Sequence, residues 1–111
     1  MAIQQWSDEI IIVDLPDEPE MTDELISLTE FLVDKESFSV VIDFTGVGGI
    51  TSAGLSRLVQ LRQLAAQGGH RLILCNIDPS TEEIFSVTGL ADLFDLTEDK
   101  FSALATLEMT G

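Results

Sequence analysis

The sequence is poor in bases, in cysteine and in histidine. Five lysines and arginines stand against 20 aspartates and glutamates in 111 residues, a formal net charge of −15. A field of that sign repels phosphate backbones and anionic headgroups, so nucleic acid and membrane surfaces are excluded as expected partners. The lone cysteine, Cys75, rules out an internal disulfide framework. With the lone histidine, His70, it leaves too few soft ligands for a structural zinc site. The carboxylates do not fall in the ordered spacing of a calcium loop, so no metal and no cofactor are expected. No apolar run reaches the roughly 18 residues that span a bilayer. Residues 1–5 lack the basic start and apolar stretch of a secretory signal, and a cytoplasmic protein is the expectation.

The acids are also missing from one place. Residues 1–43 hold 12 acids and one base, and residues 78–111 hold eight acids and one base. Residues 44–77 hold no acid and three bases, Arg57, Arg62 and Arg71. Burial explains part of this gap, because core segments carry few charges. The functional reading is a site where an added negative charge is tolerated.

What is present is enough apolar sequence for a core, 45% of the chain. Residues 9–15 and 39–44 are β-branched and apolar, and read as buried strands, as do residues 71–77. Residues 2–6 suit an edge strand added by a hairpin. Met21, Leu25, Leu28 and Leu32 recur at helical spacing and predict a helix over 21–34, started near Pro19 or Thr22. Gly54, Leu58, Leu61 and Ala65 do the same for 52–67, with Gly68 and Gly69 as its left-handed end. Asp78, Pro79 and Ser80 open a third helix bearing Ile84, Val87 and Thr88 before Gly89. Residues 93–96 read as a short last strand, and 97–99 cap a helix bearing Phe101, Leu104 and Ala105. Trp6 and Phe38 read as core or edge packing. Strands alternating with helices imply an α/β domain over 1–111. Its sheet is mixed, largely parallel and four- to five-stranded, packed by about four helices.

The turn between the second long strand and the second long helix is where ligands of such sheets gather. Three enzymatic patterns fail there. Gly46-Val47-Gly48-Gly49-Ile50-Thr51 approaches a dinucleotide fingerprint but ends in threonine, and the next acid is Asp78. A P-loop needs a lysine, and none lies between Lys35 and Lys100. Ser52-Ala53-Gly54 has half of a nucleophile elbow, yet no acid separates Ser52 from His70 to build the usual triad order. What remains is a hydroxyl at a helix N-terminus. Thr51 or Ser52 is the N-cap, and the same spot suits a phosphate, because the helix dipole and free N–H groups favour an anion.

The run Val40-Val41-Ile42-Asp43-Phe44-Thr45-Gly46-Val47, followed by Ile50-Thr51-Ser52-Ala53-Gly54-Leu55, resembles the STAS domain of bacterial anti-sigma-factor antagonists. Gly68-Gly69-His70-Arg71-Leu72-Ile73-Leu74 and Ile84-Phe85-Ser86-Val87-Thr88-Gly89-Leu90 continue the resemblance over about 40–107. It implies a STAS-like fold, no catalytic activity, and a partner switch. In that family a serine kinase that is also the anti-sigma factor phosphorylates the antagonist, and a phosphatase resets it. By position the acceptor is Ser52, with Thr51 as back-up. The partner-binding residues are Gly48, Gly49, Ile50, Thr51, Ser52, Ala53, Gly54 and Leu55, with Asp17 and Glu18. Thr51 stands where the family usually has aspartate, and Leu15-Pro16-Asp17-Glu18-Pro19 replaces its usual Gly-Glu-Leu-Asp. Asp17 or Glu18 is therefore expected to stand in for the missing carboxylate. Two alternatives carry different expectations. One is an unphosphorylated STAS subunit of an ABC-type lipid transporter or signalling scaffold. The other is a small nucleotide-binding enzyme using 46–49.

Overall fold

A computed structural model describes residues 2–33 and 38–110. The described chain runs β1 (Ala2–Gln5), β2 (Ile10–Asp14), α1 (Glu20–Val33), β3 (Ser39–Asp43), α2 (Ser52–Gln67), β4 (Leu72–Cys75) and α3 (Pro79–Val87). A 3-10 turn (Ala91–Leu93), β5 (Asp95–Thr97) and α4 (Lys100–Thr110) complete it. The strands form one sheet in sequential order, β1 antiparallel to β2 and all later neighbours parallel.

That order follows from where the helices lie. Alternate side chains of each inner strand point to opposite faces. Ile11, Val13, Val40, Ile42, Leu72 and Leu74 join one core with Met21, Leu25, Leu28, Leu58, Leu61 and Phe85. Ile10, Ile12, Val41, Ile73 and Cys75 join the other with Ala103, Leu104 and Leu107. So α1, α2 and α3 all cross on one face, and α4 alone covers the opposite one. Right-handed crossovers on a single face advance the sheet in one direction, which gives the sequential order. Burial on both faces is why these strands read as continuous apolar runs. The four α1 residues Met21, Leu25, Leu28 and Leu32 are all buried, each worth about 1.5–3 kcal/mol of burial.

Several expectations shift in detail. The expected end of the first helix, at 34, lies outside the described residues. Gly68 has an ordinary φ of −84°, and the left-handed position after α2 is Gly69, at φ 75°. The last strand starts at Asp95, not at 93. Gly89, at φ 76°, ends α3, the Leu90 N–H returns to the Phe85 carbonyl, and Ala91–Leu93 closes a 3-10 turn before pairing resumes. In α3 the buried residues are Thr81 and Phe85, while Val87 is 76% exposed. In α4, Ala103, Leu104 and Leu107 face the sheet, whereas Phe101 is 79% exposed and Ala105 is exposed. The helical period holds in both, but its phase differs, because the sheet captures whichever stripe the preceding turn aims at it. Phe38 is half-buried beside Phe31, with ring centroids 6.5 Å apart. Trp6 lies beyond β1, 46% exposed, with its indole N–H on Glu108.

Candidate functional site at the carboxyl edge of the sheet

The register brings Asp14, Asp43, Cys75 and Thr97, the last or near-last residues of four parallel strands, side by side. Three ladder bonds continue past the strand ends: Leu15 N–H to Asp43 O, Phe44 N–H to Cys75 O and Asn76 N–H to Glu98 O. The loops that leave this edge therefore start from fixed points.

Asp43 organises the edge. Its Oδ1 accepts the Thr45 N–H at 2.9 Å, the Thr45 hydroxyl at 2.6 Å and the Asn76 Nδ2 amide at 3.0 Å. Its Oδ2 lies 3.4 Å from Lys100 Nζ, and the same ammonium reaches Asp14 Oδ1 at 3.3 Å. Burial on its own would raise the Asp43 carboxyl, but the Thr45 hydroxyl and amide, Asn76 and Lys100 outweigh it and hold it below the ordinary range. Lys100 loses charge stability to burial, yet its bond to Asp14 and the Asp14 and Asp43 charges hold its pKa above the usual value. Burial first, and the Asp43 charge second, push the Cys75 thiol up to about 12, which makes it an inert core thiol. Sequence reading missed this cluster. Two signals pointed to it: acids closing two apolar strands, and Lys100 as the one base among the acids of 78–111.

From Asp43 the chain enters the glycine-rich loop. Phe44 and Val47 are buried and pin it, with the Val47 N–H returned to the Phe44 carbonyl at 2.9 Å. Thr51, at φ −94° and ψ 165°, is the N-cap of α2, and its hydroxyl accepts the Gly54 N–H at 3.1 Å. That settles which hydroxyl caps. Ser52 is the first helical residue, exposed, and its hydroxyl has no hydrogen-bond partner among the described residues. Ala53 is exposed beside it, and Ile50 and Leu55 are half-buried against the core. Gly48 and Gly49 lie at the surface, one exposed and one partly so.

Gly54 is buried, and a Cβ there would stand 3.1 Å from Met21 Sδ and 3.3 Å from Ile50 Cγ1, so its missing side chain lets α2 approach α1.

The acid-free window of sequence is not acid-free in space, and this is a correction. The 15–19 connection folds over the loop. The Thr51 hydroxyl donates to Glu18 Oε2, and Asp17 Oδ1 accepts the Gly48 N–H at 3.3 Å. A Cβ at Gly48 would sit 3.4 Å from Asp17 Oδ2, in ordinary van der Waals contact. Glu18 is anchored from its own side by the Thr22 amide and hydroxyl, each 3.0 Å from Oε1. The Thr51 hydroxyl is the leading reason the Glu18 carboxyl sits below its ordinary pKa. Glu18 thus brings a carboxylate to a loop that has none of its own. Farther along, Arg71 pairs with Asp95 at 2.9 Å, and Arg62 donates to the Leu93 carbonyl.

This strand–loop–helix geometry meets a family pattern. The STAS domain model matches residues 22–104. The chain belongs to the STAS domain family. It is 29% identical, over 68% of its length, to a candidate anti-sigma factor antagonist, BtrV of Bordetella bronchiseptica, and the match covers 66% of that relative. Among solved structures, RsbS of Moorella thermoacetica, in a serine-to-glutamate variant, superposes with a TM-score of 0.83. That pair is 16% identical and covers 98% of this chain and 95% of the other. The Bacillus cell-fate determinant SpoIIAA in its phosphorylated form superposes with a TM-score of 0.72 at 14% identity, covering 95% and 96%. The STAS domain here has the mixed sheet and four helices expected of that fold. Among the described residues no helix is long and apolar enough to cross a membrane.

Proposed function

We propose that this STAS chain is a cytoplasmic anti-sigma-factor antagonist whose binding to a serine kinase, itself the anti-sigma factor, is switched off by phosphate on Ser52 and restored by a phosphatase. The observation that carries the reading is the contrast between the two hydroxyls of the turn. Thr51 is committed twice, as acceptor from Gly54 N–H and as donor to Glu18, whereas Ser52 is exposed and uncommitted. Ser52 is therefore the acceptor and Thr51 the cap. In the transfer, Ser52 Oγ forms the new bond to the γ-phosphorus of ATP, the bond to ADP breaks, and the hydroxyl proton leaves to a base of the kinase. The product has about −2 charge and three acceptor oxygens at the start of α2. The helix dipole tolerates it there, so the fold persists while the docking surface of 48–53, Leu55, Asp17 and Glu18 gains negative charge and bulk. A like-charge or desolvation cost of a few kcal/mol shifts affinity by about one to three orders of magnitude.

The test is incubation with the cognate kinase and ATP, followed by mass spectrometry. The expected label is on Ser52, and Ser52→Ala abolishes it. Label on Thr51 or Ser56, or no label at all, would overturn the assignment. The unlabelled outcome would favour a fixed STAS binding subunit.

A further inference from the structure

The surface around Ser52 includes two carboxylates from another part of the chain. Asp17 and Glu18 reach across from the β2–α1 connection and hold the loop by two points, the Gly48 N–H and the Thr51 hydroxyl. Both contacts are exposed, whereas the root of the connection is pinned by buried Leu15 and its N–H bond to Asp43 O, so these two bonds tie the Asp17 and Glu18 side chains alone to the loop. Thr51 adjoins Ser52, and successive Cα atoms lie about 3.8 Å apart. A phosphate on Ser52 is then added one residue away from the hydroxyl that Glu18 holds.

Resting on the reading of Ser52 as the acceptor, we infer that Asp17 and Glu18 form a charge latch over the 48–51 loop, which a phosphate on Ser52 opens. In the unmodified chain the carboxylates accept loop donors, and the loop itself carries no negative charge. A dianion beside them repels both. Taking a separation of about 7 Å in the screened, water-like surroundings of an exposed site, that repulsion shifts the closed-to-open ratio roughly three- to tenfold toward open. The α2 cap survives, because Thr51 still accepts the Gly54 N–H without Glu18. Phosphorylation thus changes two things for a partner: it adds charge at Ser52, and it releases the Asp17 and Glu18 contacts that shared the docking surface.

The experiment uses the full chain with phosphoserine installed at position 52 during translation, so that no kinase is needed. The same modification is made in an Asp17→Asn, Glu18→Gln background, which keeps acceptor oxygens but removes the charge. Amide hydrogen exchange is read at Gly48 and Gly54, at low and high salt, alongside the folding equilibrium constant. The phosphate is expected to speed Gly48 exchange about three- to tenfold in the native background and less than twofold in the variant. Gly54 stays unchanged, and salt shrinks the effect. The folding constant falls with phosphate only in the native background. Equal phosphate effects in the two backgrounds, an unchanged Gly48, or a matching rise at Gly54 would overturn the latch. Failure of the kinase to label Ser52 bears on the acceptor assignment alone, because the installed phosphoserine bypasses that step.

Discussion

Replacing Asp43 with alanine removes the acceptor on which three donors and one ammonium converge. Thr45 N–H, Thr45 Oγ1, Asn76 Nδ2 and Lys100 Nζ all lose a partner. Hydrogen bonds to a charged group contribute about 1.5–3 kcal/mol each, but Thr45 is exposed and Asn76 half-exposed, so water recovers part of the loss. The net expected cost is about 3 kcal/mol. With about 2.1 cal/mol/K of unfolding entropy per residue over 111 residues, that lowers Tm by about 13 °C. Asp43→Asn keeps an acceptor for the Thr45 amide and loses only the Lys100 charge pairing, so about 1 kcal/mol is expected. Chemical denaturation with an unchanged slope, supported by calorimetry, measures both. The pH dependence gives a further check. The Asp43 pKa is depressed in the fold, so its contribution is complete above the unfolded value near 4 and disappears as pH falls through the folded value. The gap between the native chain and Asp43→Asn should therefore begin to narrow below about pH 4 and close as pH falls through the lower folded value. An alanine variant within 1 kcal/mol of the native chain, or a gap that widens in acid, would refute the reasoning.

Thr51→Val removes the α2 cap and the partner of Glu18, and should cost about 1–2 kcal/mol by denaturation, while Thr51→Ser stays near neutral. Phe85→Ala should cost about 3–5 kcal/mol, since Phe85 is fully buried and stacks on Phe94 at 5.6 Å, and a calorimetric loss of less than 1.5 kcal/mol would contradict that packing. Cys75, buried and with its thiol pushed up to about 12, should resist a thiol reagent at pH 8 until denaturant is added, which absorbance of the released thiolate would show.

Legibility in the sequence follows the physics of each element. The inner strands are buried on both faces, so residues 10–14, 39–43 and 72–75 stand out as apolar runs whatever their neighbours. Helix α2 is legible to its ends because Thr51 and Gly69 punctuate it and Gly54, Leu58, Leu61 and Ala65 form a single buried stripe. The α3 and α4 stripes are not, since Val87 and Phe101 are as apolar as the residues that pack, and only the sheet decides between them. At the site, the Ser52 turn is local and can be read from consecutive residues. The Asp43–Lys100–Asn76–Thr45 cluster and the Glu18–Thr51 bond join residues 33 to 57 positions apart, or are completed by such residues, and only the fold places them together. The gap in the acids shows the same limit: an acid-free window of sequence is closed in space by Asp17 and Glu18.

The central claim, that Ser52 is a switch for a protein partner, is tested most directly by titrating the cognate serine kinase with the native chain and with the chain carrying phosphoserine at 52. The account predicts that the unmodified chain binds and that the phosphate weakens binding by about tenfold to a thousandfold. Equal affinity of the two forms would contradict it.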